Sequence, residues 1–198
     1  MKVTGGTAAG IVLATPRNMK VRPTGVRAKQ ALFNSLQSSD LIRGAVVVDL
    51  FAGTGGLGLE AASRGASEAY LVEKSNLHCR MAEENAGKLR RSGVLADISI
   101  IRADVCFVPT RLASIAGKID LIFADPPYAE SELYFHTLLS DKDFTEWADN
   151  ALIIWEQPPD INLISDMSGL FCDVDSIRSF GGTRFIFMRS GIHQNEHR

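Results

Sequence analysis

Cysteine is scarce in these 198 residues, and Cys79, Cys106 and Cys172 have neither the close pairing of a thiolate metal site nor the even number of a disulfide framework. A reducing, cytoplasmic setting is expected. Long apolar runs are missing as well: none approaches the roughly 20 residues that span a bilayer, so no membrane partner is expected. The short apolar stretch from Ala8 to Ala14 after Lys2 mimics a secretory signal, but Gly5, Gly6 and Gly10 interrupt it and no small-x-small cleavage site follows. Excess charge is absent too, and a net charge of -2 excludes a globally basic nucleic-acid binder. Repeats and low-complexity tracts are lacking, while 45% apolar residues and seven prolines are ordinary for one globular domain with a sizeable core.

The near-neutral total conceals an uneven distribution. Met1 to Ser39 holds Lys2, Arg17, Lys20, Arg22, Arg27 and Lys29 and no acidic residue, whereas all 23 acidic residues lie beyond it. The asymmetry suggests a basic arm on an acidic body, with a solvated N-terminal segment as the alternative that charge alone leaves open. Within that part, Val3-Thr4 and Ile11-Val12-Leu13 read as two short strands around a glycine turn. Residues 1–22 are therefore expected to form a small hairpin and basic arm, and residues 23–198 the main domain. Thr24 is placed to cap a helix whose stripe is Val26, Lys29, Leu32, Phe33 and Leu36.

From Ala45 the chain alternates strand and helix. Strands are expected at Val46–Val48, Tyr70–Val72, Ile98–Ile101 and Ile119–Phe123, later ones around Leu152–Trp155 and Phe185–Met188, and helices between. A poor helix is expected around Leu112, and another from Leu133 to Leu139. Such alternation implies an α/β fold with a mostly parallel sheet covered on both faces. Ligands of these sheets lie beyond the carboxyl ends of the strands, where Asp49, Glu73, Asp104 and Asp125 converge.

Gly53-Thr54-Gly55-Gly56-Leu57-Gly58 matches G-x-G-x-x-G between a strand and a helix, with Glu73 at the spacing of a ribose ligand. That alone admits a dinucleotide. Asp49, four residues before the first glycine, would repel a pyrophosphate but receive an amino-acid ammonium, which favours S-adenosylmethionine, with S-adenosylhomocysteine as its product. Asp49 also suits a turn cap, and Phe51 suits either the core or a cofactor wall. Asp104 reads as an acceptor for the adenine amine or as a helix cap. Lys74, directly after Glu73, completes the expected cofactor-binding set. No metal is expected.

Asp125-Pro126-Pro127-Tyr128, directly after an apolar strand, is the most specific motif. An exocyclic base amine is a poor nucleophile because its lone pair is delocalised. Acceptance of its two N–H groups by the Asp125 carboxylate and the Pro126 carbonyl would aim that lone pair at a methyl group. Two prolines stiffen the turn, and Tyr128 offers a face on which a displaced base can stack. The expected chemistry is direct in-line methyl transfer without a covalent enzyme intermediate. A DNA adenine-N6 or cytosine-N4 methyltransferase uses the same turn, but little chain remains for a target-recognition region. A non-catalytic nucleotide-binding domain is the third reading.

The chain resembles the RsmD-type bacterial methyltransferases over nearly its whole length. The resemblance is carried by Lys2-Val3-Thr4-Gly5-Gly6, by Arg22-Pro23-Thr24 with Arg27 and Ala31-Leu32-Phe33-Asn34, and by Asp49 to Gly55 with Leu57 to Ala61. Ser63-Arg64-Gly65-Ala66 and Asp125 to Tyr128 complete it. It implies a Rossmann-like, seven-stranded methyltransferase that modifies guanine N2 in 16S ribosomal RNA, within the small subunit or an assembly intermediate. A monomer is expected. It further implies that Thr24 and Arg27 lie over the cofactor and target, and that Lys2, Arg17, Lys20, Arg22, Arg27 and Lys29 meet RNA. Val26 and Gln30 stand where the family usually has acidic residues, so no polar role is carried to them.

Overall fold

The computed structural model describes residues 1–16 and 23–190, without the side chains of Pro23 and Thr24. The elements are α1 (Pro23–Ser38), β1 (Val46–Asp49), α2 (Gly58–Ser63), β2 (Glu68–Glu73), α3 (Asn76–Arg91), β3 (Asp97–Arg102), α4 (Val108–Arg111) and β4 (Leu121–Ala124). They continue as α5 (Ser131–Leu139), α6 (Lys142–Trp147), β5 (Leu152–Gln157), β6 (Cys172–Phe180) and β7 (Thr183–Ser190). One seven-stranded sheet has the order β3-β2-β1-β4-β5-β7-β6. The first five strands are parallel, and β7 returns antiparallel beside β5 with β6 outside it.

Alternation along the buried strands sends neighbouring residues into opposite layers. Val47, Leu121, Phe123, Ile154 and Phe187 face α1, where Ala28, Leu32, Phe33 and Leu36 form the buried stripe. Val48, Ile122, Ile153 and Trp155 face the other layer, with Phe135 and Leu138 of α5 and Phe144 and Trp147 of α6. α1 begins at Pro23, so Thr24 lies in its first turn instead of capping it. Ser75 caps α3 as its hydroxyl accepts the His78 amide. The weak pattern near Leu112 becomes only α4 followed by a 3₁₀ turn.

Lys2 and Val12 form an antiparallel bridge, and Val3 donates to the Ile11 carbonyl at 3.0 Å. This hairpin is seated on the body. Val3, Ala8 and Leu13 are buried against Leu59, Leu71, Ala82 and Leu89. Arg17, Lys20 and Arg22 lie outside the described residues. Among the described residues no helix is long and apolar enough to cross a membrane.

Candidate functional site

The carboxyl ends of β1, β2, β4 and β5 and the turn after β3 open into one cavity of about 610 Å³. Its walls include Asp49, Phe51, Gly53, Thr54, Glu73, Lys74, Asp104, Asp125, Pro126, Tyr128 and Glu156. The glycine bend and the diproline turn thus share one space.

The bend after β1 needs glycine for two reasons. Gly53 and Gly55 have φ of 54° and 94°, which favour a residue without Cβ. A Cβ on Gly55 would also lie 2.7 Å from the buried Leu59 side chain, and one on Gly58 2.8 Å from Leu71. Close packing therefore brings backbone amides to the cavity wall.

Asp49 is 1% exposed; its Oδ2 accepts the Gly58 amide at 2.8 Å, while Oδ1 is buried without a partner. One oxygen thus caps the turn and the other is left without a partner. Burial raises the Asp49 pKa to about 7 against the Gly58 hydrogen bond, and the nearby Glu73 charge adds to the rise. A cation brought to Oδ1 would relieve both the missing partner and the repulsion.

Glu73 is held from two sides. Its Oε2 accepts the Gly53 amide at 2.9 Å and its Oε1 the Ser75 amide at 2.7 Å. Each oxygen keeps a second lone pair, so the carboxylate is fixed in orientation yet able to accept from a diol. Asp104 Oδ1 accepts the Cys106 amide at 3.1 Å and caps the following 3₁₀ turn while lining the cavity. Phe51 serves as both wall and core, with ring centroids 5.0 Å from Tyr134 and 6.2 Å from Trp155. Lys74 donates to Glu130 at 3.3 Å and to Tyr134 at 3.2 Å, joining the end of β2 to the segment beyond the diproline turn.

Asp125 leaves β4 facing the cavity, with Pro126 buried behind it. Asp125 is exposed to the cavity, yet protein crowded around its carboxyl and the charges of Glu156 and Asp49 both push its pKa above the ordinary carboxylate value. Tyr128 is 40% exposed and donates its hydroxyl to Glu156 Oε1 at 3.0 Å. The ring is therefore tethered at its edge and outside the core.

Two expectations about basic residues change. Lys29 does not project as an RNA contact: it is 6% exposed, with its ammonium 3.0 Å from Glu60 and donating to the Lys2 and Gly56 carbonyls. Burial of Glu60 demands a cation there, and the place of Lys29 in the apolar stripe of α1 delivers it. Arg27 is exposed on α1 and is not among the residues lining the cavity, and Lys2 is exposed. The Thr24 side chain lies outside the description. Met1, Tyr134 and Glu156 line the cavity without having been singled out. For Glu156 a signal existed, because it sits near the carboxyl end of a strand like the other four acids.

The set fits a ligand with an ammonium, a ribose diol and an adenine. Asp49, Glu73 and Asp104 could serve as the acceptors, through the orphaned Oδ1 of the first and the backbone-fixed carboxylates of the other two. Among the described residues no group of three or more acidic, histidine or cysteine side chains is arranged to hold a metal ion.

Comparison with known proteins identifies the family and the fold. Residues 1–188 match the family described as Conserved hypothetical protein 95. The chain is 31% identical over 156 residues to the Ribosomal RNA small subunit methyltransferase D of Escherichia coli, covering 79% of this chain and 74% of that one. It superposes on Thermus thermophilus protein TTHA0928 with a TM-score of 0.71 at 29% identity, over 96% and 99% of the two chains. An RNA methyltransferase from Salinibacter ruber, solved with S-adenosyl-L-homocysteine, shares the fold with a TM-score of 0.56 at 13% identity, over 90% and 98%. The chain belongs to the Conserved hypothetical protein 95 family, the RsmD-type rRNA methyltransferases whose motifs it carries.

Proposed function

We propose that this protein transfers a methyl group from S-adenosylmethionine to the exocyclic N2 amine of a guanine in small-subunit ribosomal RNA. The observation that supports it most is that Asp125 and the half-satisfied Asp49 border one cavity, from the diproline turn and the glycine bend respectively. S-Adenosylmethionine, when bound, supplies an electrophilic methyl on a sulfonium. Asp49 Oδ1 receives its ammonium, Glu73 its ribose hydroxyls and Asp104 its adenine amine. Asp125 and the Pro126 carbonyl accept the N–H groups of the target amine and hold its lone pair toward the methyl, while Tyr128 supports the base by stacking. Proton loss follows transfer, to Asp125 or to water. The basic N-terminal part, including Lys2 and Arg27 with Arg17, Lys20 and Arg22, steers RNA phosphate.

Transfer of labelled methyl from S-adenosylmethionine to ribosomal RNA and to DNA from cells lacking this protein tests the reading directly. N2-methylguanosine in the small-subunit RNA is the expected product. Label in N6-methyladenine or N4-methylcytosine of DNA would replace it with the DNA reading.

Asp49 adds a pH dependence. Its carboxyl stays protonated in the free protein to about pH 7, so its contribution to stability is complete below its ordinary value of 3.8 and fades as pH rises through 7. The ligand ammonium needs the ionised form. Cofactor affinity should therefore fall roughly tenfold for each pH unit below 7. Calorimetric titration from pH 5.5 to 8.5 should show that slope in the wild type and a flat, weaker response in Asp49→Asn. Equal slopes in both proteins would remove Asp49 from the ammonium site.

A further inference from the structure

Glu156 has no part in the chemistry above, yet it stands in the target half of the cavity. β4 and β5 are parallel neighbours whose last paired rung joins Ala124 to Trp155, so Asp125 and Glu156 follow side by side. Both line the cavity, and the charge of one is felt by the carboxyl of the other. Tyr128 fixes Glu156 further by its hydroxyl at 3.0 Å, which binds the stacking ring and this carboxylate into one rigid unit. Trp155 and Gln157 on either side are buried, so the strand itself allows Glu156 little freedom.

Two adjacent carboxylates demand adjacent donors. The bases that carry an exocyclic amine differ in the ring atom beside it. Guanine has an N1–H next to its N2 amine, whereas adenine has an unprotonated N1 and cytosine an unprotonated N3. We infer that Glu156 selects guanine, accepting the ring N1–H while Asp125 and the Pro126 carbonyl take the amine. Adenine or cytosine in the same pose would set a ring lone pair against the carboxylate. Guanine also lessens the repulsion between the two acids, because each gains a donor. The inference rests on the methyltransferase reading, but its reason for guanine comes from the pocket and not from the relatives.

2-Aminopurine tests this role together with the Glu156 variants: it keeps the 2-amine and replaces N1–H with an acceptor, and because it also lacks the O6 carbonyl, the change of the ratio on substitution of Glu156 is what reports on N1. The nucleotide methylated by the full-length protein is mapped in protein-depleted small-subunit rRNA, and the same RNA is then prepared with 2-aminopurine at that position. The wild type should methylate the guanine RNA at least about 10²-fold better in kcat/KM, as sites built around a hydrogen bond discriminate by that much or more. Glu156→Gln keeps an acceptor for Tyr128 and gains an N–H₂ that can face the analogue's N1. It should shrink the gap to less than about tenfold at unchanged cofactor affinity, while Glu156→Asp, which keeps the charge, should preserve the preference. A merely structural role would depress both RNAs alike and leave the ratio unmoved, which would overturn the proposal while guanine remained the product. Wild-type methylation of an adenine or cytosine amine would overturn the guanine reading itself.

Discussion

Replacing Asp125 with alanine is expected to lower kcat by about 10³-fold while cofactor affinity stays within about threefold, because preorganised acceptors act on the reacting amine and not on the bound cofactor. The carboxylate follows β4 directly and has buried Pro126 behind it, so no rotation of the turn is needed to bring it to a base. Rapid-quench single turnovers at saturating S-adenosylmethionine, alongside calorimetry, separate the two effects. Weakened cofactor binding with normal turnover would assign Asp125 to the other half of the cavity.

The same residue should have the opposite effect on stability. A carboxyl held well above its ordinary pKa binds its proton more tightly in the folded chain than in the unfolded one. Its contribution is therefore full below the ordinary value and declines as pH rises through the raised one. Asp125→Asn should accordingly melt higher than the wild type at pH 8, with the difference vanishing near pH 4. An inactive protein that is more stable above neutrality is the mark of a site built from mutually repelling groups.

The parts of this molecule legible in the sequence are those where local chemistry and tertiary environment agree. Val46–Val48 and Leu121–Phe123 are apolar on both faces because the sheet is covered on both, and their terminal acids can lie only at the open rim. Glycines 53, 55 and 58 stand where positive φ or contact with Leu59 and Leu71 excludes a Cβ. β6 escaped notice because Cys172–Phe180 is an edge strand whose polar residues are largely solvated, so no apolar run marks it. α6 carries only Phe144 and Trp147 as apolar residues among its six, too few to mark a helical stripe. The apolar run Leu152–Trp155 ends one residue short of the rim, so it does not mark Glu156. Lys29 differs again: its place in the apolar stripe of α1 points inward, but the Glu60 that makes its burial possible is 31 positions away, and nothing local names that partner.

That enclosure leads to a large expected loss of stability. Glu60 is fully buried, accepting from the Thr4 amide at 2.8 Å, the Thr4 hydroxyl at 2.6 Å and Arg64 at 2.8 Å, with Lys29 at 3.0 Å. Arg64 in turn bonds Asn34 and Gln37 of α1, so one carboxylate fastens the N-terminal hairpin, α1 and α2 together. Burial alone would raise its pKa; the Lys29 charge and the Thr4 and Arg64 hydrogen bonds prevail and hold it below the ordinary value. Its contribution is therefore full above 4.5 and is lost as the solution is acidified through the lowered value. Glu60→Ala leaves two cations buried without a counter-charge, and such a break costs about 3–5 kcal/mol. Urea denaturation at pH 7 should show that loss, and the mutant's disadvantage should narrow at the acidic end. The damage should reach the cofactor as well, since the Lys29 ammonium also holds the Gly56 carbonyl of the glycine bend and Met1 of the hairpin lines the cavity. A Glu60→Ala protein within about 1 kcal/mol of the wild type, the worth of an exposed pair, would mean that apolar contacts of Val3, Ala8 and Leu13 seat the hairpin without the charges.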